Sequence, residues 1–491
     1  MSKSLGVNII KLVFSKFASQ IVTLVTAPII TRLFSPNDFG IYQIFVSVVG
    51  ILLAMVCLKY ELSIPLGKNK NDAVASFTLS LFLAFIFSLL LLALVPIVKE
   101  HVARWYKLPE LENFIWLVPI AVFLFGVKNI MSYWASRESK FGTIAISDFA
   151  YTSSSILITL IWGLVIGAST IGMLFGYLAG LALGIITFLI FLVRRLATDI
   201  RDSNIKFAHI WSVAKLHRKF PIFSTWSSLL NTISVQLPPI IFGLYFPINV
   251  VGYYSLGQRI VAIPMILIGT AIGQVFFPSG AKRYNETGDI SEIVSSVFKR
   301  LAQIGISPIF ILILLGPILF RTIFGQEWVE AGVYAQILAV WSLFSFVYSP
   351  LSLVFSIFNR QNIEFFTNIF IISGRTTILL IGSNFLSPRM TLIIFVVFSV
   401  LAVVFLIAWM LKLSKVSIFW TSKIMMKYII LSCILIVPIK LTASFLGDMG
   451  VLLASISAMI IYVIILSVFE PELRRLVFNC FSKSKRLKNP L

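Results

Sequence analysis

At 491 residues, 59% of them hydrophobic and only 12% charged, the chain departs from soluble composition, in which about a quarter of residues carry charge. Apolar runs of roughly 20 residues, the length an α-helix needs to cross hydrocarbon, recur along it and exclude both a soluble globular protein and a barrel of weakly alternating strands. The formal net charge of +21 sits beside these runs, so it describes a basic rim facing anionic lipid and requires no nucleic acid.

The pattern predicts an all-α integral membrane protein with about 14 transmembrane helices. Twelve is the fallback count, because the seventh span is the least hydrophobic and the last two are closely joined. The first span, centred near residue 22, carries Lys16, Gln20, Thr23 and Thr26 at helical spacing, then Pro28 and, at its outer end, Arg32. A polar stripe is costly in lipid, so it faces a cavity or glues helices together. The turn "SPNDFG" restarts a second span near residue 49, with Lys59 and Glu61 at its inner end. The third and fourth spans centre near 86 and 124. Lys128 lies inside the fourth, close enough to its inner end to snorkel, and Asp148, before the fifth span near 155, is its possible partner or a proton carrier. The sixth span, near 182, leads into the basic linker "RRLATDIRDSNIKFAHIWSVAKLHRK".

The seventh span, near 233, repeats the plan of the first. Ser224, Ser227, Asn231 and Ser234 form its stripe, and Pro238 and Pro239 stand at the depth of Pro28. Gln20 aligns with Asn231, Thr23 with Ser234, Pro28 with Pro239 and Pro36 with Pro247, all at an offset of 211; after a one-residue insertion, Gly40 meets Gly252 and Tyr42 meets Tyr254. An even number of spans separates the copies, so the halves are parallel repeats, an arrangement of transporters that rock two bundles about a central site. Prolines within spans remove a helical hydrogen bond and bend the helix. Pro28, Pro238 and Pro239 are read as hinge positions, a tolerated kink being the plainer alternative.

The eighth span, near 265, holds Arg259; the ninth and tenth centre near 312 and 345. In the eleventh, near 374, Arg375 shares a face with Asn368 and Glu364. Each of these buried cations is either functional or paired with an acid on a neighbouring helix. The twelfth span centres near 401, and the last two, near 435 and 459, lie outside the repeat. The expected organisation is a six-helix bundle over 1–198, a basic cytoplasmic linker over 199–219, a second six-helix bundle over 220–413, and two further helices with a basic tail over 414–491. The two bundles surround a central cavity. With both termini cytoplasmic, thirty of the forty Lys and Arg residues fall on the inner side and seven on the outer, as the positive-inside rule requires. No small-residue cleavage site precedes the first span, so it reads as a retained helix.

A cationic, water-lined interior favours an anionic substrate, and the planar fork of arginine suits phosphate. Enzymatic chemistry is not expected: His101, His209 and His217 fall in loops without metal spacing, Cys57, Cys433 and Cys480 are scattered, and no glycine-rich phosphate loop, serine elbow or paired carboxylate site is visible. The longest outer loop, "KEHVARWYKLPELEN", is short for a membrane transferase. Nothing resembles a channel filter. No cofactor or metal is expected.

"APIITRLFSPNDFGIYQIF" and, after the second span, "LKYELSIPLGKNKNDA" resemble the opening of bacterial polysaccharide-unit flippases of the Wzx type, in the multidrug/oligosaccharidyl-lipid/polysaccharide exporter superfamily. The resemblance covers the whole chain in span order. It implies a multi-pass protein of the bacterial inner membrane that moves undecaprenyl-pyrophosphate-linked oligosaccharide units from the cytoplasmic to the periplasmic leaflet without ATP, alongside polymerases and ligases of the same pathway, for O-antigen, capsule or another glycan. A more distant similarity, to lipid II flippases, carries "YYSLGQRIVAIPMILIGTAIGQVFFPSGAK". It implies that Arg259 contacts the pyrophosphate, that Lys59 falls near basic residues ending the second helix, and that the last two helices form an apolar groove for the lipid tail. The chain departs from that pattern at Ser19 and Gln20, where those relatives have a serine followed by arginine. The expected substrate-binding set is therefore Arg259, Arg375, Lys128, Lys59, Lys16, Gln20, Asn231 and Asn368. Movement is driven by membrane potential, or by a proton or sodium gradient acting through Asp148, Glu61 or Glu364. The rival readings are an organic-cation antiporter of the same superfamily, which needs deep acidic residues, and a polysaccharide-processing membrane enzyme.

Overall fold

The structure is a computed structural model that describes residues 3–203 and 206–470, except the side chains of 3–16, 270, 271, 274, 361, 362, 364 and 365. Lys16 and Glu364 therefore lie outside the described side chains. Among the described residues there is no strand. Thirteen helices are long and apolar enough to cross a membrane, and Phe17–Leu33 is a further, shorter apolar segment. Together they account for the fourteen expected spans.

The chain divides into two compact units, Met1–Ser255 and Leu256–Leu491. The first contains α1 (Lys3–Leu33), α2 (Pro36–Leu53), α3 (Lys70–Tyr106), α4 (Leu117–Arg137), α5 (Phe141–Val165), α6 (Thr170–Asp202), the ten-residue α7 (Phe207–Leu216) and α8 (Thr225–Tyr245), followed by the first half of α9 (Ile248–Pro264). The first unit runs past the basic linker to Ser255, and within it α8 packs along α2. Ser47 donates to the Gln236 side-chain oxygen at 3.0 Å and accepts from Gln43 at 3.2 Å. Such pairing satisfies polar groups that lipid would leave bare.

Local signals explain where spans stop and restart. Ser35 caps α2 by accepting from the Asp38 N–H, and Asp38 returns a bond to the Ser35 backbone, a capping box ahead of Pro36 at the first helical position. Asn69 caps α3 and Ser387 caps a later helix by the same means. At the reciprocal seat between the repeat copies, a methyl on Gly40 would fall 2.2 Å from the Ile248 carbonyl oxygen, and one on Gly252 would fall 2.0 Å from that of Pro36. Only glycine permits so close an approach of two backbones.

In the interior of this unit, Phe77 meets Trp134 edge-on, and Tyr177 is ringed by Tyr42, Phe45 and Tyr151. α5 and α6 pack closely because Gly172, Gly176, Gly180 and Gly184 recur every four residues along one face of α6. A methyl on Gly176 would lie 2.1 Å from Thr159 Oγ1. This is the small-residue spacing by which membrane helices approach without a hydrophobic driving force.

The second unit holds the rest of α9, α10 (Thr270–Thr287), α11 (Ser291–Phe324), α12 (Val329–Leu351), α13 (Gln361–Phe385), α14 (Pro388–Leu413), α15 (Ile418–Leu441) and α16 (Ala443–Phe469). The last two helices pack on α11. Gln303, buried on α11, donates to the Tyr428 hydroxyl at 2.8 Å and accepts at its backbone from Tyr462 at 2.9 Å. Lys299 pairs with Glu470 at 2.6 Å. Burial raises the Glu470 carboxyl, but its bonds with Lys299 and the nearby Lys427 more than offset this and hold it below the usual carboxylate range.

α1 and α8 continue as helices through Pro28 and through Pro238 and Pro239. Widened helical turns occur elsewhere, at Phe220–Ser224, which contains Pro221, and at Met265–Gly269, directly after Pro264. Such turns mark where a helix accommodates a missing hydrogen bond.

Candidate functional site

The structure brings Lys128 and Asp148 together. Lys128 is 9% exposed, and its Nζ lies 2.5 Å from Asp148 Oδ1 and 5.3 Å from the centre of the Tyr151 ring. The α6 glycine stripe makes room for it, the lysine stem passing beside Gly184, while Ser147 anchors α5 by donating to the Gly184 carbonyl at 2.8 Å. A buried ion pair offsets the cost of desolvating each partner, so Lys128 contributes little net positive charge.

A second cluster forms where the chain passes from α2 to α3. Leu58 and Lys59 both adopt left-handed backbone, φ 48° and 61°, a conformation unfavourable for residues other than glycine. They turn the chain into the short helix Tyr60–Leu66. Arg137 at the end of α4 clamps this segment by donating to the carbonyls of Ile64, Gly67 and Asn69. Tyr60 ties it to α7 through the Ala214 carbonyl at 3.1 Å.

Glu61 is thereby enclosed, 2% exposed. Its Oε1 stands 3.9 Å from Lys59 Nζ, beyond hydrogen-bond length, and its Oε2 is buried without a hydrogen-bond partner among the described residues. Burial pushes its carboxyl above the ordinary value, with a backbone hydrogen bond and Lys59 opposing. Burial and the Glu61 charge likewise raise the Cys57 thiol.

In the second unit Arg375 is half-buried on α13. Its guanidinium carbon lies 4.7 Å from the centre of the Trp341 ring and 5.4 Å from that of Phe395. Its Nε donates to Ser399 Oγ at 2.9 Å. Stacking on aromatic faces is a property of arginine that lysine reproduces poorly. Arg259 is exposed on α9 and makes no ion pair among the described residues.

The polar stripes are only partly committed. Gln20 is half-buried; Thr23 and Thr26 bond back to the carbonyls of Ser19 and Val22 on their own helix. Asn231 and Asn368 are exposed. Sequence reasoning missed Gln236, Arg137, Trp341 and Ser399. Gln236 and Arg137 were legible as polar residues within or ending apolar runs, whereas Trp341 and Ser399 carry no sequence mark of their role.

No group of three or more His, Cys, Asp or Glu suited to a metal occurs among the described residues.

Fold and helix composition define a multi-pass, all-helical membrane protein. The fold is similar to the lipid II flippase MurJ in an inward closed conformation, with a TM-score of 0.72 and 15% identity over 94% of this chain and 99% of that one. It is also similar to an inward-facing multidrug resistance MATE family transporter of the MOP superfamily, with a TM-score of 0.59 and 14% identity over 82% and 98% of the two chains. Among curated proteins, the teichuronic acid biosynthesis protein TuaB of Bacillus subtilis (strain 168) is 25% identical over 147 residues, a match spanning 30% of the length of each chain. Residues 29–333 match the model of the polysaccharide biosynthesis protein family, and the chain belongs to that family.

Proposed function

We propose that the protein is a flippase that carries undecaprenyl-pyrophosphate-linked oligosaccharide units from the cytoplasmic to the periplasmic leaflet of the bacterial inner membrane by alternating access. Both termini are cytoplasmic in this reading, and lipid-linked oligosaccharide is handed to polymerases or ligases of the same pathway. The observation that carries it is the charge of the intramembrane residues. Lys128 is balanced by Asp148, whereas Arg259 is exposed and Arg375 stacks on aromatic rings and donates to a serine hydroxyl, so arginine supplies the guanidinium groups for an anion. Guanidinium groups suit a pyrophosphate through paired hydrogen bonds. Gln20, Asn231 and Asn368 supply hydrogen bonds for sugars, and Lys59 supplies charge at the inner end of α2.

An inside-negative potential favours outward movement of an anion by about 2.3 kcal/mol per charge per 100 mV. If an ion is exchanged as well, Glu61 is the better-placed carrier, because Lys128 already occupies Asp148. Deleting the protein and analysing the inner leaflet tests the function: stranded lipid-linked oligosaccharide is expected, and normal surface polymer with no accumulation rejects it. The organic-cation antiporter reading requires an unneutralised deep acid. A drug-resistance assay separates it, since overexpression should leave cationic-drug sensitivity unchanged.

A further inference from the structure

α10 and α11 run antiparallel and are joined by the turn Gly288–Ile290. Between them lies a groove of about 630 Å³, within the usual 300–1,000 Å³ range of ligand sites. Two arginines, Arg283 from α10 and Arg300 from α11, line it together with the hydroxyls of Ser279 and Ser296; Phe276 and Val297 add apolar wall. The spacing is helical on both sides, so one face of each helix is committed to the groove.

Arg283 is partly exposed and its Nη2 reaches Glu292 Oε2, also on the lining, at 3.1 Å. Glu292 is the more exposed partner, so the pair is solvent-screened and readily exchanged. Asp289, in the turn, is occupied instead by Ser291, accepting from its N–H at 2.9 Å and its hydroxyl at 3.1 Å.

An amphipathic groove with two guanidinium groups and two hydroxyls fits a ligand with a phosphorylated head and an apolar chain. We propose that it binds the pyrophosphate-bearing head of a prenyl lipid on the inner side of the membrane, as a loading site separate from Arg259 and Arg375. The proposal rests on the flippase reading and on the orientation that places the α10–α11 turn in the cytoplasm. Glu292 acts in it as a competitor: it holds Arg283 until a phosphate displaces it.

The test uses the full-length protein in lipid nanodiscs in an Arg259→Ala, Arg375→Ala background, so that the transport residues do not contribute. Binding of farnesyl pyrophosphate is compared with that of farnesol and of inorganic pyrophosphate. Arg283→Gln and Arg300→Gln are each expected to weaken farnesyl pyrophosphate about tenfold, the worth of one charge-assisted hydrogen bond. Glu292→Gln is expected to tighten it several-fold, and Arg283→Lys to retain part of the affinity. Farnesol should be indifferent to all four substitutions. Unchanged affinity in both Gln variants, or weaker binding in Glu292→Gln, overturns the site. Equal affinity for inorganic and farnesyl pyrophosphate overturns the lipid assignment. The two levels separate cleanly: if deletion strands no lipid-linked oligosaccharide, the flippase reading fails; if it does and these affinities do not move, the loading site alone fails.

Discussion

Gly40 and Gly252 each sit where the other's helix begins: a methyl on the first would strike the Ile248 carbonyl, and a methyl on the second would strike that of Pro36. The contact is reciprocal because the two residues are equivalents in the repeat. Gly40→Ala and Gly252→Ala are each expected to cost about 1–3 kcal/mol through overpacking. Their double variant should cost less than the sum, since opening the seat once relieves both. Gly142→Ala, with nothing within 4 Å of the added carbon, is the control and should change stability by less than about 0.5 kcal/mol. Thermal unfolding in detergent measures all four.

The Lys128–Asp148 pair makes an asymmetric prediction. Asp148→Asn leaves a buried ammonium without its counter-charge and is expected to destabilise by about 3–5 kcal/mol, whereas Lys128→Met combined with Asp148→Asn should recover most of that loss. The same thermal assay, run as a double-mutant cycle, checks it. If Asp148→Asn abolishes transport while leaving stability intact, the pair is not the structural element described.

Glu61 should leave a signature in the pH dependence of stability. Burial raises its folded-state value above the ordinary 4.5, so between that value and the raised one the folded protein binds more protons than the unfolded chain. Stability therefore falls as pH rises through this window. Glu61→Gln should remove that part of the slope and stabilise the protein at the upper end. Melting temperatures from pH 4 to 8 for both proteins give the answer, with identical slopes as the adverse result.

Arg375 and Arg259 should separate by chemistry in a transport assay. Both alanine variants are expected to strand lipid-linked oligosaccharide on the inner leaflet while reaching normal membrane abundance. Arg375→Lys should transport only in part, because the ring contacts at 4.7 and 5.4 Å and the Ser399 bond depend on a flat guanidinium. Quantifying the stranded intermediate against surface polymer reads the difference, and full polymer in both alanine variants removes these roles.

The helices, their number and the repeat were legible because membrane length and proline position are written directly in the chain. The Gly40–Gly252 equivalence was visible as an alignment, but not that the two residues touch one another's helices. Lys128 and Asp148 were legible as alternatives, pair or separate actors, and only geometry chose between them. Glu61 looked like an ordinary charge at a span end; its enclosure depends on two left-handed residues and on Arg137 donating to three carbonyls, interactions that leave no periodic trace. Composition marks the basic linker, while the packing of α8 on α2 is carried by Ser47 and Gln236 in the middle of apolar runs. The α6 glycine stripe, in contrast, was present at regular spacing and went unread.

The seat that joins Pro36 and Gly40 to Ile248 and Gly252 also sets a timetable for biogenesis. Its halves are more than two hundred residues apart in the chain; at roughly 5–20 residues per second, the ribosome needs about 10–40 s to deliver the second half after the first. Throughout that interval the nascent α1–α2 hairpin waits in the membrane with its glycine notch unfilled. The early hairpin is capped by its own Ser35 and Asp38, but its final lodging depends on a helix not yet made.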